Sequence, residues 1–164
     1  MRTKPLQLLA ILVVSAVVLV AGFYLLADWQ RNKPSRPVRE VQVEVSTAAQ
    51  TLGVEPYTVC ELDAECVGDE PPTMQLDPSQ PVTVTVPHDI AASSWRLLSI
   101  YDDPAANDEQ IFQSGEATEG TVEAVKNDAT LVVVEVSALA VDADDSGNET
   151  PVVATWSVAF DDAA

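Results

Sequence analysis

Two cysteines, one histidine and a large excess of carboxylates are the groups here that could do chemistry. Cys60 and Cys66 bracket Glu61-Leu62-Asp63-Ala64-Glu65. That gap is too short for the inter-sheet bridge of an antibody domain. It is also an unusual spacing for a metal pair, with His88 as the single histidine available to join it. A redox-active pair would take the C-x-x-C form. A structural disulfide that holds a hairpin or loop is the reading that fits an exported domain. Closing so small a ring stabilises by roughly 2 to 2.5 kcal/mol on chain-entropy grounds.

The carboxylates offer two candidate clusters. Asp142, Asp144 and Asp145, followed by Ser146-Gly147-Asn148, resemble the front of a calcium loop. Position 12 of that loop would be Val153 rather than a bidentate Glu, and strands rather than helices flank it, so it is no EF-hand. A polar hairpin turn with at most a weak calcium site is expected. Asp102, Asp103, Asp108 and Glu109 could bind a cation or a partner. A glycosidase pair would need two carboxylates about 5 to 10 Å apart in a cleft, and nothing marks such a cleft. His88 beside Asp89 suggests a dyad, but no nucleophile motif accompanies it, and a turn histidine is expected. Asn148-Glu149-Thr150 is a glycosylation acceptor pattern only where the cell modifies such sites. No stretch amounts to a catalytic motif, so no enzyme and no cofactor beyond a weak calcium ion is predicted.

Charge narrows the partners. The chain holds 26 acidic and 8 basic residues, a formal charge of -18. Of the acidic residues only Asp28 and Glu40 precede Val41, and beyond it Arg96 and Lys126 are the only basic ones. Such a surface repels nucleic acid and anionic headgroups and attracts cations. A basic partner, or an envelope protein, is compatible with it; nucleic acid is excluded.

The chain before that domain is of another kind. Residues 6–27 carry no charge, and Gln7 and Ser15 are their only clearly polar side chains. As a helix they extend roughly 33 Å, enough for a hydrocarbon core of about 30 Å. Arg2 and Lys4 form a positive leading end. The run outlasts a cleaved signal's apolar region, and Phe23-Tyr24-Leu25-Leu26 continues past the tolerable cleavage site Val20-Ala21-Gly22. An uncleaved single-pass anchor is the expectation, with a cleaved signal as the alternative. Phe23 sits where the cysteine of a lipobox would be. Tyr24 and Trp29 suit the interface. Arg31, Lys33, Arg36 and Arg39 follow the run, which by the positive-inside count favours a cytoplasmic C-terminal part. The acidic tail, the cysteine pair and the short leading end favour the opposite, and an extracytoplasmic domain is taken. The organisation predicted is residues 1–5 as a short cytoplasmic end, 6–27 as the anchor, 28–40 as a proline-bearing basic linker and 41–164 as an acidic extracytoplasmic domain.

Period-two alternation dominates that domain. Val41, Val43 and Val45 alternate with polar residues, and Val82, Val84 and Val86 do so between Pro81 and Pro87. Trp95 to Tyr101 is apolar on both faces, which predicts a central strand. Val54–Cys60, Thr73–Leu76, Thr121–Lys126 and Leu131–Leu139 are further strand candidates, with Ile111–Phe112 as an edge piece. Asp102–Gln110 reads as an acidic loop, and Val152–Phe160 should pair with Leu131–Leu139 across a turn at 142–150. No amphipathic helix of ordinary length is present. The pattern predicts an all-β, immunoglobulin-like antiparallel sandwich of seven to eight strands. Its core should hold Val43, Val84, Trp95, Leu97, Val132, Val134, Trp156 and Val158. The loops 102–110 and 142–150 should lie at one end and form the contact surface.

Several pieces together carry a resemblance. They are the apolar anchor, the close pair in Pro56-Tyr57-Thr58-Val59-Cys60 and Glu65-Cys66, the strand Pro81-Val82-Thr83-Val84-Thr85-Val86-Pro87, and Ser94-Trp95-Arg96-Leu97-Leu98-Ser99-Ile100-Tyr101-Asp102. This arrangement resembles an uncharacterised family of exported actinobacterial proteins, a domain of unknown function. The resemblance covers most of the chain and implies a membrane-attached domain outside the cytoplasm, with no catalytic residues to transfer. The family often uses a lipidated cysteine, which this chain lacks, so its mode of anchoring does not carry over. The expected role is that of a cell-envelope interaction or accessory module, with extracytoplasmic calcium or small-cation binding as the alternative.

Overall fold

The computed structural model describes residues 5–31, 37–62, 64, 66, 68, 70–143 and 148–162. Residues 32–36 of the basic linker, which include Lys33 and Arg36, lie outside them, as do the candidate ligands Asp144 and Asp145. The chain divides into two compact units, Met1–Ser35 and Arg36–Ala164.

The first unit contains one helix, α1 (Pro5–Arg31). Pro5 opens it, where a missing N–H leaves no helical bond unmade. The described side chains include large apolar groups exposed all round, among them Val17, Leu19, Phe23 and Leu26. Ser15 turns its hydroxyl back to the carbonyl of Ile11 at 2.9 Å, satisfying it within the helix. Side chains are described at 11 and 13–28, so the predicted span 6–27 lies partly outside them. Among the described residues, no helix is long and apolar enough to cross a membrane.

The second unit is built of short strands. In chain order they are β1 (Val43–Ser46), β2 (Thr51–Val54), β3 (Thr58–Glu61), β4 (Thr73–Leu76), β5 (Val82–Thr85), β6 (Trp95–Tyr101), β7 (Asp108–Phe112), β8 (Glu119–Val122) and β9 (Val125–Lys126). Two long strands, β10 (Ala129–Ala143) and β11 (Glu149–Asp162), follow. A short helical turn, α2 (His88–Ala91), joins β5 to β6. One sheet has the order β2-β1-β5-β8. The other runs β3-β11-β10-β6-β7, with β4 also on β11 and β9 on β10. The pairings are antiparallel except that β4 runs parallel to the end of β11. An all-β arrangement of two sheets is thus confirmed, with 11 strands among the described residues instead of seven or eight.

Both sheets supply one buried cluster, Val43, Val45 and Val84 from the smaller and Leu97, Val134 and Val158 from the larger. The polar tips of buried Trp95, Trp156 and Tyr101 are all paired. Trp95 Nε1 donates to the carbonyl of Ala117 at 3.0 Å, Trp156 Nε1 to Val41 at 2.8 Å and Tyr101 OH to Glu123 at 2.8 Å. Paired in this way, each ring contributes its apolar area without stranding a donor. Trp95 also stacks on Phe112, with centroids 4.1 Å apart. Buried Gly120 lets β8 approach: a Cβ there would stand 2.6 Å from Leu97 Cδ2.

Several expectations need correction. Val132 is 38% exposed rather than buried, because a register shift between Leu131 and Val133 turns it out of the alternation. The single strand expected over 54–60 is split into β2 and β3, since Glu55-Pro56 cannot continue a ladder. The one expected over 121–126 is likewise split into β8 and β9. The linker expected to reach Glu40 ends earlier: Val38–Glu40 forms a 3-10 turn, and Val38 joins the core. Finally, the loops 102–110 and 142–150 do not share an end. Tyr101 pairs with Leu131 at one end of β10, and Asp142 pairs with Thr150 at the other. At about 3.3 Å per residue, that separates them by roughly 36 Å.

Candidate functional site

Cys60 and Cys66 form a disulfide, with their Cα atoms 5.7 Å apart. Cys60 lies in β3, an outer strand whose register sets it opposite Val153 of β11. The bridge therefore turns the chain back immediately beside a sheet edge. Past the turn, Gly68 lies close against the ring of Tyr57 and the methyl of Thr58, leaving no room for a Cβ. Glycine is needed there for close approach of the backbone.

This reversal brings Glu70-Pro71-Pro72 alongside β2 and builds a cleft of about 360 Å³. Leu52, Gly53 and Val54 form one wall, and Pro56, Tyr57, Pro71 and Pro72 contribute to the other. Glu55 and Glu70, both exposed, add negative charge to the lining, and no Lys or Arg takes part in it. Rigid rings and prolines beside a strand end make a preformed concave surface, of a size ligand sites commonly have. Nothing in the spacing of 52–57 and 70–72 announces this, because their meeting depends on the chain reversal at the disulfide. The one local signal is the clustering of Pro56, Pro71 and Pro72 around a Tyr.

The predicted acidic residues do local work. Asp102 Oδ1 accepts the amide of Thr130 at 2.9 Å. Asp103 Oδ1 accepts the amide of Ala105 at 2.9 Å and caps a 3-10 turn at Pro104–Ala106. Asp108 pairs with Lys126 at 3.2 Å, and Glu109 with Arg96 at 3.1 Å. Asp142 accepts Arg39 Nε at 3.0 Å, fastening the chain where it enters the domain to the long hairpin. Asp144 and Asp145 lie outside the described residues. Among the described residues there is no group of three or more His, Cys, Asp or Glu that could hold a metal ion.

Among the described residues, two side chains have displaced pKa values. Asp77 is held below the usual carboxylate range because its carboxyl accepts the hydroxyl and the amide of Ser79. Tyr101 is pushed up by burial, reinforced by the negative charges of Glu123 and Asp108. Neither lines the cleft. A second cleft, of about 330 Å³, is lined by residues of α2 and of Gly115–Thr118, with His88 and Glu116 as its ionisable groups. Glu116 Oε2 accepts the amide of Gln113 at 2.7 Å.

The chain is similar over most of its length to uncharacterised mycobacterial proteins. One of Mycobacterium bovis and two of Mycobacterium tuberculosis are each 28% identical over 162 residues, covering 95% of this chain and 94% of theirs. No solved structure matches it. A family model described as "Protein of unknown function (DUF2771)" matches residues 36–161, nearly the whole second unit, which begins at Arg36. The family model thus falls on the two-sheet β domain, and the chain belongs to the DUF2771 family.

Proposed function

We propose that this is a single-pass membrane protein whose acidic, immunoglobulin-like β-sandwich stands outside the cytoplasm and serves as a non-catalytic interaction module for a basic envelope partner. The observation that carries the reading is the character of α1. It is charge-free from Leu6 to Ala27, and its described apolar side chains are exposed on every side, Leu19 at 74% and Phe23 at 75%. A helix apolar all round is stable only in an apolar surround, and it is the charge-free run 6–27 of the sequence, longer than its described side chains, whose length suits a bilayer. The disulfide supports an oxidising compartment. The basic residues after the helix count the other way, so orientation is what an experiment must decide.

Intact cells are treated with a membrane-impermeant maleimide, with and without prior reduction, and modification of Cys60 and Cys66 is scored. Labelling only after reduction is the expected result. Labelling only after lysis, with no reductant needed, would place the domain in the cytoplasm and end the reading. Extraction of the chain at alkaline pH without detergent would remove the anchor.

A further inference from the structure

We infer that the free edge of β2, with the cleft beside it, accepts an extended basic peptide as an added strand. This deepens the interaction reading by naming the chemistry of the partner, and it rests on that reading.

Sheet edges are templates for pairing, and proteins usually blunt them with charge, proline or cover. At the other end of the same sheet one edge acceptor is already taken: Gln110 of β7 donates its Nε2 to the carbonyl of Thr121 in β8 at 3.1 Å. β2 is paired only to β1. Its sequence, Thr51-Leu52-Gly53-Val54, has no charge and no proline, and the side chain lying over exposed Gly53 is the neutral Gln42, whose Oε1 is 3.0 Å from where a Cβ would stand. The cleft takes in Leu52, Gly53 and Val54 of that strand, so an added strand would lie against a walled groove. Strand addition takes affinity from main-chain bonds and specificity from alternate side chains. Here Leu52, Pro56 and Tyr57 offer apolar contact, and Glu55 and Glu70 offer negative charge.

Charge selects the occupant. Arg39, Arg96 and Lys126, the described cations of the domain, are each already paired to a carboxylate. An acidic strand would meet uncompensated repulsion, and so would a second copy of a chain with formal charge -18. An extended segment alternating Lys or Arg with apolar residues matches both the groove and the field.

The test uses the full chain in a zwitterionic detergent and a capped, fluorescein-labelled Lys-Val alternating hexapeptide, with a Glu-Val hexapeptide as control. Binding is read by anisotropy, and its location by amide hydrogen exchange. The expected result is saturable binding of the basic peptide alone, with slowed exchange over residues 51–54. The double variant E55K/E70K should bind at least tenfold more weakly. The matched variant D89K/D161K, which removes as much charge from exposed positions elsewhere, should stay within about twofold of wild type. Equal weakening by both variants, with protection spread over other faces, would reduce the effect to general attraction and overturn the site while leaving the interaction reading intact. A dimer of the peptide-free chain with β2 already protected would assign the edge to a second copy and overturn it too. Failure of the peptide to bind at all would also overturn it. The maleimide experiment judges the envelope reading separately in every case.

Discussion

Tyr101 shows how much one side chain can join. Its ring is 4% exposed, its hydroxyl donates to Glu123, and its amide donates to Asn107 Oδ1 at 2.8 Å. Because its folded pKa is raised above the unfolded value of about 10, the phenol contributes stability that is fully present below pH 10 and lost as pH climbs toward the folded value. Urea denaturation from pH 7 to 11 should therefore show an alkaline fall that is shallower in Tyr101→Phe. At pH 7 that variant should be less stable by about 1 kcal/mol, the usual cost of one lost hydrogen bond. Parallel alkaline limbs would reject the assignment. At this scale the disulfide is legible because a short cysteine gap allows few readings. The work of Asp108 and Glu109 is not, since Lys126 and Arg96 come within reach only once β6, β7 and β9 have paired. Val132 is misjudged for a related reason: alternation alone cannot foresee a register shift.

Among the elements, the hairpin β9–β10 carries the clearest local strain. Asn127 and Asp128 at its turn have φ of 53° and 66°. Two consecutive left-handed residues define the tight turn that matches strand twist, and Asn-Gly is its preferred pair. Asp128→Gly should raise stability by about 0.5 kcal/mol in thermal or urea unfolding, with the fold unchanged. Destabilisation by a similar amount would show that the Asp side chain supports the turn. Strong alternation makes β5 readable and an apolar run makes β6 so, and the pairing of β10 with β11 across a polar turn follows from two adjacent runs of β-branched residues. The break between β2 and β3 was obscured because Val54 and Cys60 flank a stretch whose only interruption is Pro56. The parallel attachment of β4 to β11 leaves no trace in the local pattern, because it joins residues 73–76 to 159–162.

The whole molecule is governed by its negative field. Three ion pairs engage the described cations of the domain, leaving most carboxylates without an opposite charge. Raising NaCl from 10 to 150 mM shortens the screening length from about 30 to about 8 Å. Self-repulsion should fall faster than the exposed pairs weaken, because such pairs contribute little. Melting temperature should accordingly rise with salt, by several degrees across that range; a fall would mean that the pairs outweigh the repulsion. The separation of the loops 102–110 and 142–150 belongs to this scale as well. It follows from the length of β10, which is visible only when strand ends are placed in register. The fastening of Arg39 to Asp142 carries a mechanical consequence. The chain enters the domain beside the turn of the long hairpin, and β11 leaves from the opposite end at Asp162. Tension between these two points would pull along the strands, loading the β11 ladders with β10, β3 and β4 sideways and together instead of peeling them one bond at a time. A domain strung in this direction resists force as a tie-rod does, and would yield first at Arg39.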